Sequence, residues 1–220
     1  MIIREERIGD CRLILGDCLQ VMPIIARPDA MLTDPPYGIG DIMVGSGRFA
    51  GLCKRMGGDD GWDKSPPPAE VFIQDYPVIA WGGNYLGLPP SRGWLVWVKN
   101  NAAPTFAAVE LAWSNMDFNA KHWIGPVGCP LHEKVGHPTQ KPLALMQWCL
   151  EFLPNAKSIL DPFMGSGTTL VACAKMGRAG IGIELDPAYF DIACRRVEEA
   201  YRQPDMFIAP PIKPVQENLI

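Results

Sequence analysis

The sequence predicts an α/β fold built on a mostly parallel sheet with crossover helices. Two observations in the last third of the chain carry this. Apolar strand-like runs alternate with helix-like periods, and an acidic residue closes each of the two runs, Asp161 after Ser158-Ile159-Leu160 and Glu184 after Ile181-Gly182-Ile183. Strand–helix–strand–helix order needs crossover connections, and those pack back onto a parallel sheet. A third observation is the turn Gly165-Ser166-Gly167 between the first of these strands and its helix, where missing side chains let the backbone turn tightly and approach a ligand.

In chain order, Arg12 to Gly16 reads as a short strand around Leu13-Ile14-Leu15, and Ala30 to Thr33 as another, ending at Asp34-Pro35-Pro36-Tyr37. Gly38 to Pro68 is Gly-rich with no sustained period and reads as a long loop with one helical turn at most. Val78 to Trp81 is a buried strand before Gly82-Gly83. Trp94 to Val98 is a strand, with Val109 to Trp113 as its antiparallel neighbour. Residues 114–142 read as irregular. Leu143 to Leu153 is a helix by the spacing of Leu143, Met146, Leu150 and Leu153. Thr168 to Met176 is a helix with Gly177 at its C-terminal cap. Pro187 to Tyr201 is a helix with Pro187 in its first turn and Phe190, Ala193, Cys194, Val197, Ala200 and Tyr201 on one face. The chain divides into one domain, 1–202, and a proline-rich tail, 203–220.

Composition bounds the function classes. With 220 residues, 48% hydrophobic and 20% charged, the chain is globular. Its apolar runs stop far short of the ~20 residues of a membrane span, and charges crowd the first seven residues, so no membrane partner and a cytoplasmic location are expected. Seven scattered cysteines suit a reducing compartment. A net charge of −4 gives no argument for nucleic acid, which must come from local chemistry.

Two constellations carry that chemistry. The first is the glycine turn together with Glu184, which can accept hydrogen bonds from ribose hydroxyls, so a nucleotide-like ligand is expected across these strand ends. Leu170 stands where a dinucleotide fingerprint would have its third glycine, which argues against pyrophosphate binding. The second is Asp34-Pro35-Pro36-Tyr37 at a strand's carboxyl end. A carboxylate and a carbonyl fixed by proline can accept both hydrogens of an exocyclic amine, and Tyr37 offers a face for stacking a base.

Asp34-Pro35-Pro36-Tyr37 and Asp161-Pro162-Phe163-Met164-Gly165-Ser166-Gly167 together resemble the S-adenosylmethionine-dependent DNA amino-methyltransferases. The catalytic motif precedes the cofactor motif, as in the permuted β group. His137-Pro138-Thr139-Gln140-Lys141-Pro142 is similar to the stretch before that group's cofactor strand, and Gly16-Asp17-Cys18 to its N-terminal cofactor turn. Gly82-Gly83-Asn84-Tyr85 and Leu88 to Trp94 look like segments of small phage and prophage members.

The resemblance implies a Rossmann-like seven-stranded, mostly parallel sheet, circularly permuted, with one antiparallel strand. It implies S-adenosylmethionine as cofactor, DNA as partner and a possible homodimer. It implies a catalytic set of Asp34, Pro35, Pro36 and Tyr37. Its cofactor set is Asp17, Thr139, Gln140, Lys141, Asp161, Phe163, Gly165, Gly167, Thr168, Glu184 and Asp186, with Thr139 to Lys141 near the methionine end. The expected reaction is methyl transfer to adenine N6, since Asp rather than Ser opens the catalytic motif, with N4 of cytosine as the alternative.

Loops 38–77 and 114–136 are expected to face DNA, with Arg48, Lys54 and Arg55 toward phosphates. These loops hold few side chains able to read bases, so short or relaxed sequence specificity is expected. A zinc site at His122, Cys129, His132 and His137 matches no common ligand spacing, and no metal is expected. A non-catalytic binding protein is disfavoured by the intact Asp34 motif.

Overall fold

The structure, a computed structural model, describes residues 1–39, 65–102, 107–126 and 140–202. The strands are β1 (Ile2–Ile8), β2 (Cys11–Gly16), β3 (Ala30–Thr33), β4 (Val78–Trp81), β5 (Trp94–Lys99), β6 (Val109–Ser114), β7 (Lys121–Gly125), β8 (Ser158–Asp161) and β9 (Ala179–Glu184). They form one sheet in the order β1-β2-β9-β8-β3-β4-β6-β5-β7. The expected seven strands are its centre, from β2 to β5, and within that centre β6 alone runs against the rest.

The sheet is larger than expected by one strand at each edge. β1 pairs antiparallel with β2, and β7 pairs parallel with β5. Neither has the apolar run that marks a buried strand. β1 is blunted by charge, with Arg12 donating to Glu5 at 3.0 and 2.8 Å and Arg4 reaching Glu6 and Asp191. Charged side chains are a common means of guarding an open sheet edge. β7 has only Trp123 packed inward, beside Trp97. The stretch 114–136, read as an irregular loop, therefore contains a strand.

Strands buried on both faces explain the continuous apolar runs. Alternation sends Ala30, Leu32, Ile79, Trp81 and Leu95 to one face and Met31, Val78 and Ala80 to the other. The first face is covered by three helices, α2 (Leu143–Glu151), α3 (Thr168–Lys175) and α4 (Pro187–Arg202). Among the described residues, the second carries the single turn α1 (Cys18–Val21), two 3₁₀ turns and the segment around Leu86.

Helix α4 buries Phe190, Ala193, Cys194 and Val197, the stripe its spacing predicts. Gly177 sits at φ +65°, and the Arg178 N–H returns to Cys173 O at 2.9 Å, closing α3 as its cap glycine allows. Trp81 and Trp97 are core, and Trp148 packs against Phe152 at the core's margin.

Candidate active site

Strands β2, β9, β8 and β3 are parallel neighbours, so their carboxyl ends share one edge of the sheet. That edge presents Asp17 after β2, Glu184 at the end of β9, residues 162–167 after β8 and Asp34 after β3. Register keeps them level: Leu15 pairs with Glu184 and Asp161 with Gly182. Ligands of open α/β sheets bind at such carboxyl ends.

The glycine turn is fixed from three sides. Beneath it Asp161 is buried, with Thr33 Oγ1 donating to Oδ1 at 2.7 Å, Thr169 Oγ1 to Oδ2 at 2.6 Å and the Phe163 N–H to Oδ1 at 3.1 Å. Burial pushes the Asp161 carboxyl up to about 6 against these three hydrogen bonds. Behind it Arg196 of α4 donates to Ser166 O at 2.6 Å, Ser166 Oγ at 3.0 Å and Thr168 Oγ1 at 3.1 Å. Beside it Glu184 Oε2 accepts the Gly165 N–H at 2.9 Å. Gly165 and Gly167 lie at φ +50° and +81°. A Cβ on Gly167 would stand 2.9 Å from the Ala193 Cβ, so close packing on α4 demands this glycine as much as any ligand does.

Glu184 Oε1 also accepts the N–H groups of Leu185 and Asp186, each at 2.8 Å. Burial raises its carboxyl above the ordinary value while these three backbone donors hold it down. A carboxylate offers about four acceptor positions, which leaves room on Oε2 for a ribose hydroxyl. Glu184→Ala is therefore expected to weaken S-adenosylmethionine binding by roughly 1.5–3 kcal/mol, the scale of a hydrogen bond to a charged group. Calorimetry showing an unchanged dissociation constant would reduce Glu184 to a support for the loop.

The second half of the site lies on β3. Pro35 is buried and Asp34 half-buried. The Tyr37 hydroxyl donates to Asp34 Oδ1 at 2.6 Å. Lys141, directly before α2, places Nζ 2.8 Å from both Asp34 oxygens and 3.0 Å from the Tyr37 oxygen. The same ammonium is 3.0 Å from Glu110 Oε2 on β6, and Glu110 Oε1 is 2.5 Å from Lys99 Nζ on β5. Burial disfavours the Lys141 ammonium, but Asp34, Tyr37 and Glu110 outweigh it and hold its pKa well above the lysine value. Burial likewise opposes ionisation of Glu110, and Lys141 and Lys99 override it and lower its pKa. Burial and the Asp34 charge keep the Tyr37 phenol protonated well above its usual range. The Tyr37 ring stacks on Tyr85, centroids 5.5 Å apart at 20°. Gly82, at φ +70°, leaves the space that this ring fills, since a Cβ there would run into it.

Several expected cofactor residues have other partners. Lys141, expected near the methionine end, is on the Asp34 carboxylate. Asp161 lies under the loop with both oxygens committed to Thr33, Thr169 and Phe163. The Thr168 hydroxyl faces Arg196. Asp186 caps α4, accepting the N–H groups of Ala188 at 2.7 Å and Tyr189 at 3.2 Å, and Asp17 caps α1 through the Leu19 N–H at 2.9 Å. Gln140 is half-buried beside Lys141. Tyr37, expected to stack a base, is tied to Asp34 through its hydroxyl.

Thr139, Arg48, Lys54 and Arg55 lie outside the described residues, as do Cys129, His132 and His137 of the zinc alternative, while His122 is exposed on β7. Among the described residues no three metal-binding side chains cluster. Arg196 and Glu110 were not singled out from sequence. Charged residues in amphipathic segments look like surface, and only the fold turns these inward.

A family model described as DNA methylase, of the N6/N4 methyltransferase type, matches residues 92–195. The chain is 29% identical to the putative methylase YubD of Escherichia coli over 217 residues, 87% of this chain and 92% of that protein. It is 43% identical to the type II methyltransferase M.ScaI of Streptomyces caespitosus over 67 residues, 30% of this chain and only 22% of that protein. Among solved structures it is similar to M1.HpyAVI in complex with SAM, with a TM-score of 0.57 and 25% identity over 85% of this chain and 98% of that one.

Proposed function

We propose that this chain, which carries the methylase domain of the S-adenosylmethionine-dependent DNA amino-methyltransferases, transfers a methyl group to the N6 amine of an adenine turned out of DNA. The observation that carries the reading is the join between the two halves of the site. Thr33, the residue before Asp34, bonds through its hydroxyl to Asp161, the residue that opens the cofactor loop. The carboxylate and the glycine loop thus stand on adjacent strands as one unit.

The residues suit the cofactor. Glu184 has an acceptor position for ribose, Gly165 leaves its place beside that carboxylate without a side chain, and Asp17 and Phe163 flank it on neighbouring strand ends. Bound there, S-adenosylmethionine supplies a methyl group already activated by a positively charged sulfur.

The chain's own task is the amine, whose lone pair is delocalised into the ring. Asp34 and the Pro35 carbonyl accept its two N–H bonds and favour a pyramidal nitrogen with a localised pair. This stabilisation grows toward the transition state. The cofactor would supply the methyl group to the nitrogen and keep the electron pair of its S–C bond, while Asp34 would accept the surplus N–H proton and pass it on to solvent. Tyr37 occupies one Asp34 acceptor position, so the amine takes a free position or displaces that hydroxyl, releasing the ring to stack on the base. In-line positioning supplies much of the remaining rate.

Methylation of cytosine N4 is the second reading, because the family model spans both amines and the same acceptors fit either. Mass spectrometry of nucleosides from unmethylated DNA incubated with protein and cofactor separates them. N6-methyladenine is expected. N4-methylcytosine would establish the second reading, and neither product would return the chain to a non-catalytic binding role.

The same reading places the catalytic unit within one domain, 1–202, in the cytoplasm, as a possible homodimer. No helix among the described residues is long and apolar enough to cross a membrane. Segments 38–77 and 114–136 would face DNA, with Arg48, Lys54 and Arg55 on phosphates. Affinity drawn from phosphates makes activity fall steeply with salt. Sequencing the methylated DNA should show a short or relaxed target, and one fixed motif of five or more bases would contradict that.

A further inference from the structure

We propose that Lys141 is the counter-ion of the catalytic carboxylate: held between Asp34 and Glu110, with Lys99 fixing Glu110 from behind, it holds Asp34 aimed at the amine. This rests on the methyltransfer reading above and assigns Lys141 as a positioning residue, in place of a contact to the cofactor's methionine end.

An ammonium has three N–H donors. Here Nζ faces both Asp34 oxygens at 2.8 Å, the Tyr37 oxygen at 3.0 Å and Glu110 Oε2 at 3.0 Å. Its side chain is 6% exposed. The rings of Tyr37 and Trp81 close around it, centroids 5.4 and 5.8 Å from Nζ. To reach a cofactor carboxylate it would have to abandon a buried pair, which is strongly unfavourable.

Beyond it the signs alternate. Glu110 meets Lys99, whose side chain is also 6% exposed and whose ammonium lies 5.0 Å from the Trp97 ring. The row therefore runs carboxylate, ammonium, carboxylate, ammonium from the β3 loop across β6 to β5. Glu110 is held by two cations, so Lys141 cannot be drawn away from Asp34 without leaving Glu110 short of charge.

The row also decides how acid affects the site. Among the described residues, the groups around the pair are Tyr37 on the β3 loop, Glu110 on β6, Lys99 on β5, Asp161 on β8 and Cys149 on α2. Without Lys141, the Glu110 carboxylate would act on Asp34 with no ammonium at contact distance. A like charge disfavours ionisation and an opposite one supports it, each typically by about one unit or more at short range. Removing the lysine should therefore carry the acid limb of activity upward in pH, and removing Glu110 should carry it downward.

The test uses the full chain, tritiated S-adenosylmethionine and plasmid DNA from a methylation-free host. Lys141→Met is expected to lower kcat by about 100-fold, within the range of proton-handling groups, and to raise the pH of half-activity on the acid side by about one unit. The cofactor dissociation constant, read by calorimetry, should stay within about twofold, since no contact to the cofactor is removed. Lys141→Arg should restore the acid limb and most of kcat by restoring the charge. Cofactor affinity falling in step with kcat, or an unmoved acid limb, overturns the proposal. If Lys141→Met does not fold, Glu110→Gln decides, and a limb that fails to move downward counts against it.

Should the parent transfer no methyl to DNA, the methyltransfer reading fails, and the pairing itself is read without activity. In protein carrying [ε-13C]lysine, the Lys141 ammonium should lose its proton at a lower pH in Asp34→Asn than in the parent. Equal midpoints overturn the pairing.

Discussion

Asp34→Ala should yield a protein that still binds S-adenosylmethionine within about tenfold of the parent yet transfers methyl groups at least ~10³-fold more slowly, the scale of losing a principal transition-state contact. Asp34 and Glu184 stand on β3 and β9, separated in the sheet by β8, so the substitution spares the ribose side. Its direct cost falls on the amine, which loses the carboxylate at the carboxyl end of β3. Its indirect cost falls on Lys141, left with Glu110 and the Tyr37 oxygen, and some stability should go as well. Asp34→Asn separates these effects. It keeps the shape and one acceptor but cannot take the amine proton, so it should fold better than the alanine variant and remain inactive. Calorimetry and methyl incorporation on the same preparations check both, and loss of cofactor binding in parallel with activity would be the contrary result.

The second large effect concerns Asp161. Its carboxyl is pushed up to about 6 by burial, from an ordinary value of 3.8. A carboxyl raised on folding contributes stability that is fully present below the unfolded value and is lost as pH climbs through the folded one. The window is therefore pH 4 to 6, and the amplitude is about 2–3 kcal/mol for a shift of about two units. Glu184 is shifted in the same direction and Glu5, Asp29 and Glu110 in the other, so the net profile of the parent mixes both signs.

The difference between variants isolates Asp161. Asp161→Asn cannot ionise, so it should gain on the parent by about that amplitude between pH 4 and 7. Asp161→Ala strips the acceptor from Thr33, Thr169 and the Phe163 N–H, each worth about 1–3 kcal/mol when left buried and unpaired. Its loss should be largest near pH 4 and smaller at pH 7, where the parent already bears the cost of ionisation. Denaturant unfolding across this range measures both, and an Asp161→Asn profile parallel to the parent would show that the carboxyl does not titrate in the window.

Much of this architecture was legible in the chain. Each central strand is a short apolar run closed by a charged or turn residue, and two-sided burial produces that pattern directly. Thr168 to Met176 and Pro187 to Tyr201 declared themselves by period and by Pro187 and Gly177. The edge strands β1 and β7 did not. Ile2 to Ile8 buries little and owes its conformation to pairing with β2, and Lys121 to Gly125 owes its own to β5. Sequence pattern reports burial, and an edge strand can form with very little of it.

The site divides along a similar line. Asp34, Tyr37, Gly165, Gly167 and Glu184 could be found because each sits in a short motif at the end of a recognisable strand. The pairings of Asp34 with Lys141, of Glu110 with Lys99 and of Ser166 with Arg196 could not. Lys141 meets Asp34 across 107 residues of chain and Arg196 reaches Ser166 across 30, and no local pattern encodes such pairings. For Lys141, Asp161 and Thr168 the motif located the residue correctly near the site but said nothing of its partner.

The pairing of β3 with β8 also governs when the protein can fold. Thr33 and Asp161, bonded to one another at the centre of the sheet, are 128 residues apart in the chain. β2 similarly waits for β9, near the end of the described chain, and until then has only the hairpin partner β1. At ordinary synthesis rates of about 5–20 residues per second, the β3 edge is exposed for roughly 6–25 s before its partner has even been made. An unpaired apolar edge held open that long invites pairing with other chains. The chain order that brings the Asp34 loop before the glycine loop therefore makes folding a late event that waits for β8 and β9, with high contact order and correspondingly slow kinetics. Chains truncated before β8 lack the strand that closes the middle of the sheet, and β3 then has β4 on one side and nothing on the other.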